Sequence, residues 1–296
     1  MNVHLERRVI VITGASSGFG RGAALRFAQA GARIVVAARR LNLLQELVEL
    51  CPGGEAQAAA VRCDVNNESD VKYLLEAAVE RFGHVDVWIN NAGAAAVGPF
   101  LDVPLSDHRK VIETNLLGTI YGSYVALKHF KESGHGILIN VASMIGRISA
   151  PYYASYSAAK HGVVGFSTSL RQELQEEKQT DIHVCTVLPM AMDTGFFENS
   201  ANYSGHETVP IPPLDNAEKV IEVLVRLAMD PKNEVPVGKG SGLVSLSYRL
   251  APTTTERVMA ANVRHALETA PLAPAAGGEL ARPPRKGAGI KGKDQS

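Results

Sequence analysis

The stretch RVIVITGASSGFGRGAALRFAQAG, Arg8 to Gly31, decides the fold. A short β-branched run ends at Thr13, and after a glycine-rich turn the apolar residues recur three and four apart, which makes strand, turn and helix in that order. Gly14, Gly18 and Gly20 let TGASSGFG turn tightly. With Ser16, Ser17 and Phe19 they form a loop whose amides, together with the helix N-terminus, can approach a phosphate. Taken alone, the same glycines would also serve a plain tight turn, so the rest of the chain must decide.

Working outward, six more short apolar runs alternate with helical patterns: ARIVVAA, AAAVRCD, VDVWIN, GILINVAS, IHVCTVL and EVPVG. Most are apolar throughout rather than alternating, as expected for parallel strands covered by helices on both faces. The fold class is α/β, a doubly wound parallel sheet. The pattern divides the chain into a catalytic domain at 1–240, a helical appendage at 241–270 and a tail at 271–296. The appendage carries an apolar stripe (Leu243, Leu246, Leu250), then a capping box from Thr253 to Glu256 that opens a helix bearing Met259, Val263 and Leu267. The tail has little apolar bulk and many Gly, Pro and basic residues, so disorder is expected. Gly195 to Asp215 is polar and Pro-containing, and it reads as a long functional loop.

Composition excludes several classes. The 296 residues are 46% hydrophobic and carry 30 basic and 30 acidic side chains, so no nucleic-acid partner held by phosphate contacts is expected. Three cysteines are too few for a disulfide framework, which makes a reducing, cytoplasmic setting the default. No apolar run approaches the roughly eighteen residues of a membrane span, and the N-terminus lacks a signal peptide's order. Arg249, Arg257 and Arg264 flank the appendage's apolar stripes, yet its helices are short and membrane association is not expected. No metal site is expected, because neither H-E-x-x-H nor a carboxylate cluster occurs.

The second strand ends in Ala38, with Arg39 and Arg40 directly after. An acidic residue there would hold an adenosine ribose; arginine instead suits a 2′-phosphate, so NADP(H) is favoured over NAD. The alternative is a solvated arginine pair. Farther on, PYYASYSAAK (Pro151 to Lys160) holds three tyrosines. Tyr156 alone stands four residues before Lys160, the spacing that puts phenol and ammonium on one helix face. Reducing a ketone by hydride leaves an alkoxide that needs a proton, and a phenol tuned by a nearby ammonium can supply it. Ser143, at the end of the fifth strand, can hydrogen-bond the developing oxyanion.

T-G-x-x-x-G-x-G, then NNAG at Asn90 to Gly93, then Tyr156-x-x-x-Lys160 are similar in order and spacing to the classical short-chain dehydrogenases/reductases, over roughly Arg8 to Gly238. The resemblance implies a Rossmann-fold oxidoreductase with a tetrad of Asn115, Ser143, Tyr156 and Lys160. It further implies cofactor contacts from Asp64 and Val65, from Asn91, Ala92 and Gly93, and from Pro189, Met190, Met192 and Thr194. Tyr153 is expected near the substrate by the same analogy; the alternative is packing or an oligomer contact. Met190 stands where the family has glycine. With Met144, Met192, Phe196, Phe197 and Tyr203 it suggests an apolar pocket, and hence a small to medium apolar ketone or alcohol. A homodimer or homotetramer is implied through the long helices Pro104 to Lys131 and Tyr153 to Lys178. The alternative function is a catalytically idle NADP-binding sensor or scaffold on the same fold.

Overall fold

The computed structural model describes residues 5–278, 280 and 289–290. Among these, the seven expected runs form one parallel sheet: β1 (Val9–Thr13), β2 (Arg33–Ala38), β3 (Ala58–Arg62), β4 (Val87–Asn90), β5 (Gly136–Val141), β6 (Ile182–Pro189) and β7 (Glu234–Val237). Their order across the sheet is β7-β6-β5-β4-β1-β2-β3. The chain winds one way from β1 to β3 and the other way from β4 onward. The crevice beyond β1 and β4 is therefore the topological switch point, where open α/β sheets bind ligands.

Strand alternation sorts the core into two layers. Ile10, Ile12, Ile34 and Val36 meet α1 (Gly18–Gln29), α2 (Leu41–Leu50) and α8 (Glu218–Leu227). Val9, Val11, Val35 and Trp88 meet α3 (Glu68–Phe82), α5 (Gly118–Ser133) and α6 (Ala154–Glu176). Phe27 lies in the first layer, Trp88 and Phe130 in the second, and all three are fully buried. Burial contributes about 2–3 kcal/mol for each such side chain.

The helix expected over Pro104 to Lys131 is real but not uniform. It runs as α4 (Leu105–Ile112), a π-helical turn at Glu113–Leu117, and α5. The other runs over α6 and ends at Glu176. A buried polar chain locks both to the sheet: Asn90 Nδ2 donates to Asn140 Oδ1 (2.9 Å) and Ser123 Oγ (3.1 Å), and Asn140 Nδ2 donates to Ser167 Oγ (2.9 Å). Asn90 and Asn140 are register partners on β4 and β5. Fully satisfied networks of this kind fix relative position as well as adding stability.

Two expectations for the C-terminal region change. The last helix, α10 (Pro252–Thr269), starts with proline at its first position rather than at a Thr253–Glu256 capping box; a proline there forfeits no helical hydrogen bond. On α9 (Ser241–Leu250), Leu243, Leu246 and Leu250 are exposed. From the segment expected as tail, Ala273 N–H donates to the Gly205 carbonyl (3.0 Å), and Asn202 and Ala276 exchange a backbone pair (2.7 and 2.8 Å). Residues 271–278 thus hold to the loop after β6. The remainder of the tail, at 279, 281–288 and 291–296, lies outside the described residues.

Candidate active site

One cavity of about 580 Å³ opens at the switch point, and it is lined by every site residue expected from the sequence except Gly20 and Asn115. Its floor is the β1 turn. Gly14 has φ +67°, and a Cβ there would lie 2.7 Å from Ala92 Cα. Only glycine allows the two loops this approach. Asn91 laces them together, donating from Nδ2 to the Thr13 (3.0 Å) and Gly14 (3.2 Å) carbonyls.

Ser17 stands at the N-cap of α1 yet makes no capping bond. Its hydroxyl and that of Ser16 instead accept from Arg40 Nη2, at 3.3 and 3.0 Å. Arg40, 8% exposed, is the more enclosed of the arginine pair. Gly18 N–H, the first amide of α1, donates to the Gly289 carbonyl at 3.0 Å. An oxygen acceptor is thus seated where the helix N-terminus favours one. A loop that admits close backbone approach, oriented amides and a cation beyond them fit a phosphorylated dinucleotide.

The opposite wall carries the tyrosine and lysine. Tyr156 is 8% exposed and Lys160 is 3% exposed, with Nζ 5.6 Å from the Tyr156 ring centroid. Burial pushes Tyr156 well above the usual phenol range, and the Ser143 hydroxyl is what pulls it back. Burial also lowers Lys160 to about 7. Its Nζ donates to the Val141 carbonyl at 2.8 Å. Tyr153, Tyr156 and Phe196 form an aromatic corner, with centroids 6.4 and 5.6 Å apart.

Asn115 lies behind this wall, in the π turn. Its Nδ2 donates to the Ala94 (2.6 Å) and Val111 (2.8 Å) carbonyls, while Oδ1 is buried with no hydrogen-bond partner among the described residues. A Cβ on Gly93 would lie 3.0 Å from that oxygen and 3.8 Å from Lys160 Nζ, so acceptor and ammonium face one spot. His161 is exposed, with Nδ1 2.9 Å from the Ser157 carbonyl, and does not line the cavity. Cys185 is a buried thiol pushed up to about 11 by desolvation. No metal-binding cluster occurs among the described residues.

The cavity's roof is the loop after β6. Phe196 opens a short helix, α7 (Phe196–Asn199), and Tyr203 Oη donates to the buried Asp107 carboxylate at 2.5 Å. Met190 packs on Gly238, whose added Cβ would sit 2.8 Å from that of Met190. Glycine at 238 thus leaves room for the Met190 side chain. Sequence reasoning missed Asp107, the Asn90–Asn140 pair and Leu280. Paired asparagines inside apolar strands are the signal that could have found the second; nothing local marks the other two.

Lys160 provides a pH signature. Its folded pKa of about 7 lies below the unfolded value near 10.5, so the unfolded chain binds more protons between them. The cost of its buried charge is fully present below pH 7, and stability rises with pH from about 7 upward. Thermal melts of the ligand-free protein are expected to show this rise between pH 7 and 9. Lys160→Met should flatten it; an unchanged slope in that variant would place the titration elsewhere.

A parallel sheet with this strand order, a glycine-turned anion cradle at its switch point and a tyrosine–lysine wall beside it define an oxidoreductase of the dinucleotide-binding class. The chain belongs to the short-chain dehydrogenase family, whose members bind a nicotinamide cofactor: the family model, described as short chain dehydrogenase, matches residues 8–204. Oxidoreductase YxnA of Bacillus subtilis is 34% identical over 261 residues, covering 86% of this chain and 72% of its own. A 3-oxoacyl-[acyl-carrier-protein] reductase of Synechocystis is 32% identical over 77% of this chain and 91% of its own. A short-chain dehydrogenase/reductase from Burkholderia phymatum in complex with NAD superposes with TM-score 0.74 over 93% of this chain and 99% of its own, at 24% identity. Among the described residues, no helix is long and apolar enough to cross a membrane.

Proposed function

We propose that this protein is an NADP(H)-dependent carbonyl reductase or alcohol dehydrogenase of a small to medium apolar substrate. The carrying observation is that Ser143, Tyr156 and Lys160 converge on one wall of a cavity whose other end is Arg40 held against Ser16 and Ser17. When bound, the cofactor supplies the hydride. Tyr156, kept protonated by burial, gives its proton to the carbonyl oxygen as charge develops there. Ser143 Oγ holds that oxygen.

Lys160 spends one N–H on the Val141 carbonyl, which leaves two for the cofactor ribose and for proton return. The orphan Oδ1 of Asn115 supports the last role. A water donating to it and accepting from Lys160 would carry protons from solvent to Tyr156. Arg40 and Arg39 support the choice of NADP(H), because β2 ends in Ala38 with no carboxylate to repel a 2′-phosphate. Met144, Tyr153 and Phe196 support an apolar substrate, and the Synechocystis relative's name describes reduction of a 3-oxo group on an acyl chain. Self-association through α4–α6 and a cytoplasmic setting belong to the same reading.

The test is a panel of ketones and secondary alcohols followed by NADPH absorbance. Turnover of apolar ketones supports the reading. Tight NADPH binding with no turnover on any of them would favour the idle sensor.

A further inference from the structure

We infer that Leu280, contributed by the C-terminal segment, forms part of the substrate cavity's wall beside Tyr156 and limits the length of substrate it accepts. This rests on the reading that the cavity beside Tyr156 takes an apolar ketone. Leu280 is 6% exposed and lines the cavity. It packs in one cluster with Tyr153, Tyr156, Val263 and Leu267, while Phe196 and Met259 lie against the same cluster. A side chain near the chain's end thus shares an apolar surface with the phenol that delivers the proton.

The segment is built to put it there. After α10 the chain runs antiparallel to the roof loop, with bridges at His206–Leu272 and Asn202–Ala276. Glu207 N–H donates to the Pro271 carbonyl (2.7 Å), and His206 Nδ1 lies 3.0 Å from the Ala270 carbonyl. The turn that follows carries Gly278 at φ +52°, where a Cβ would lie 2.5 Å from both Ser200 C and Ala201 N. Any side chain at 278 would push the segment off the roof. Two residues later Leu280 enters the cavity. The strap therefore converts a sequence position far from the catalytic helix into cavity wall, and a branched side chain in that wall limits length by steric contact.

The experiment uses full-length protein, NADPH and straight-chain 2-alkanones from butan-2-one to dodecan-2-one. For wild type, Leu280→Ala, Leu280→Trp and Gly278→Val it reads kcat/KM. In parallel it reads Kd from the change in bound NADPH fluorescence. Leu280→Ala is expected to move the preferred chain length up by about three carbons, the number the truncation removes. Gly278→Val should move it the same way by displacing the strap, and Leu280→Trp should move it down. If Kd profiles shift this way without turnover in any protein, the length gate stands and the reductase reading falls. Superimposable profiles across the four proteins, or no alkanone binding to any of them, would overturn the inference.

Discussion

Tyr156→Phe is expected to lower kcat for a ketone substrate by about 10²- to 10⁴-fold, the range a positioned proton donor contributes. The ring stays, and with it the packing on Phe196 and the contact with Lys160. Cofactor affinity should therefore stay within a few-fold of wild type. The variant removes only the hydroxyl that meets Ser143. Tyr152→Phe and Tyr153→Phe serve as matched controls. Tyr153 is as buried as Tyr156, so equal loss in Tyr153→Phe would mean that polarity in the corner, not proton delivery, sets the rate. Steady-state kinetics with saturating NADPH, together with a cofactor titration of each variant, separate the two explanations.

The second large effect concerns the cofactor. Wild type is expected to prefer NADPH over NADH by roughly ten- to a hundredfold in kcat/KM, since a charge-assisted contact contributes about 1.5–3 kcal/mol. Arg40 is expected to carry more of this than its neighbour, because its guanidinium is already fixed on Ser16 and Ser17 and would lose little freedom when a phosphate arrives. Ala38→Asp with Arg40→Leu should invert the preference. The new carboxylate repels a 2′-phosphate and accepts from the ribose hydroxyls of NADH. The ratio is measured at fixed ionic strength, because the contact is partly screened. A double variant that folds and still prefers NADPH would transfer the recognition to Arg39 or to a residue outside this corner.

Much of this was legible in the chain. Apolar strands buried on both faces carry their own signal, so all seven were readable from runs such as RIVVAA and GILINV. The glycine loop and the tyrosine–lysine spacing are local patterns, and local patterns survive in a single sequence. What stayed hidden depends on partners distant in the chain. Which of Arg39 and Arg40 turns inward is set by serines more than twenty positions away. The π turn that presents Asn115 leaves no mark in ETNLL. Composition misled most at the C-terminus. Residues 271–278 are poor in apolar bulk, yet backbone pairing with 202–207 holds them, and hydrogen bonds of the main chain are invisible to a count of side chains.

The most direct test of the central claim follows the hydrogen itself. NADPH deuterated at the transferring position of the nicotinamide is incubated with wild-type protein and the best ketone of the panel, and the alcohol is examined by mass spectrometry and NMR. One deuterium is expected on the carbinol carbon, with the hydroxyl proton drawn from solvent by way of Tyr156, and a reaction suppressed in Tyr156→Phe. Alcohol formed without deuterium on that carbon, or labelled product at an undiminished rate in Tyr156→Phe, would contradict it.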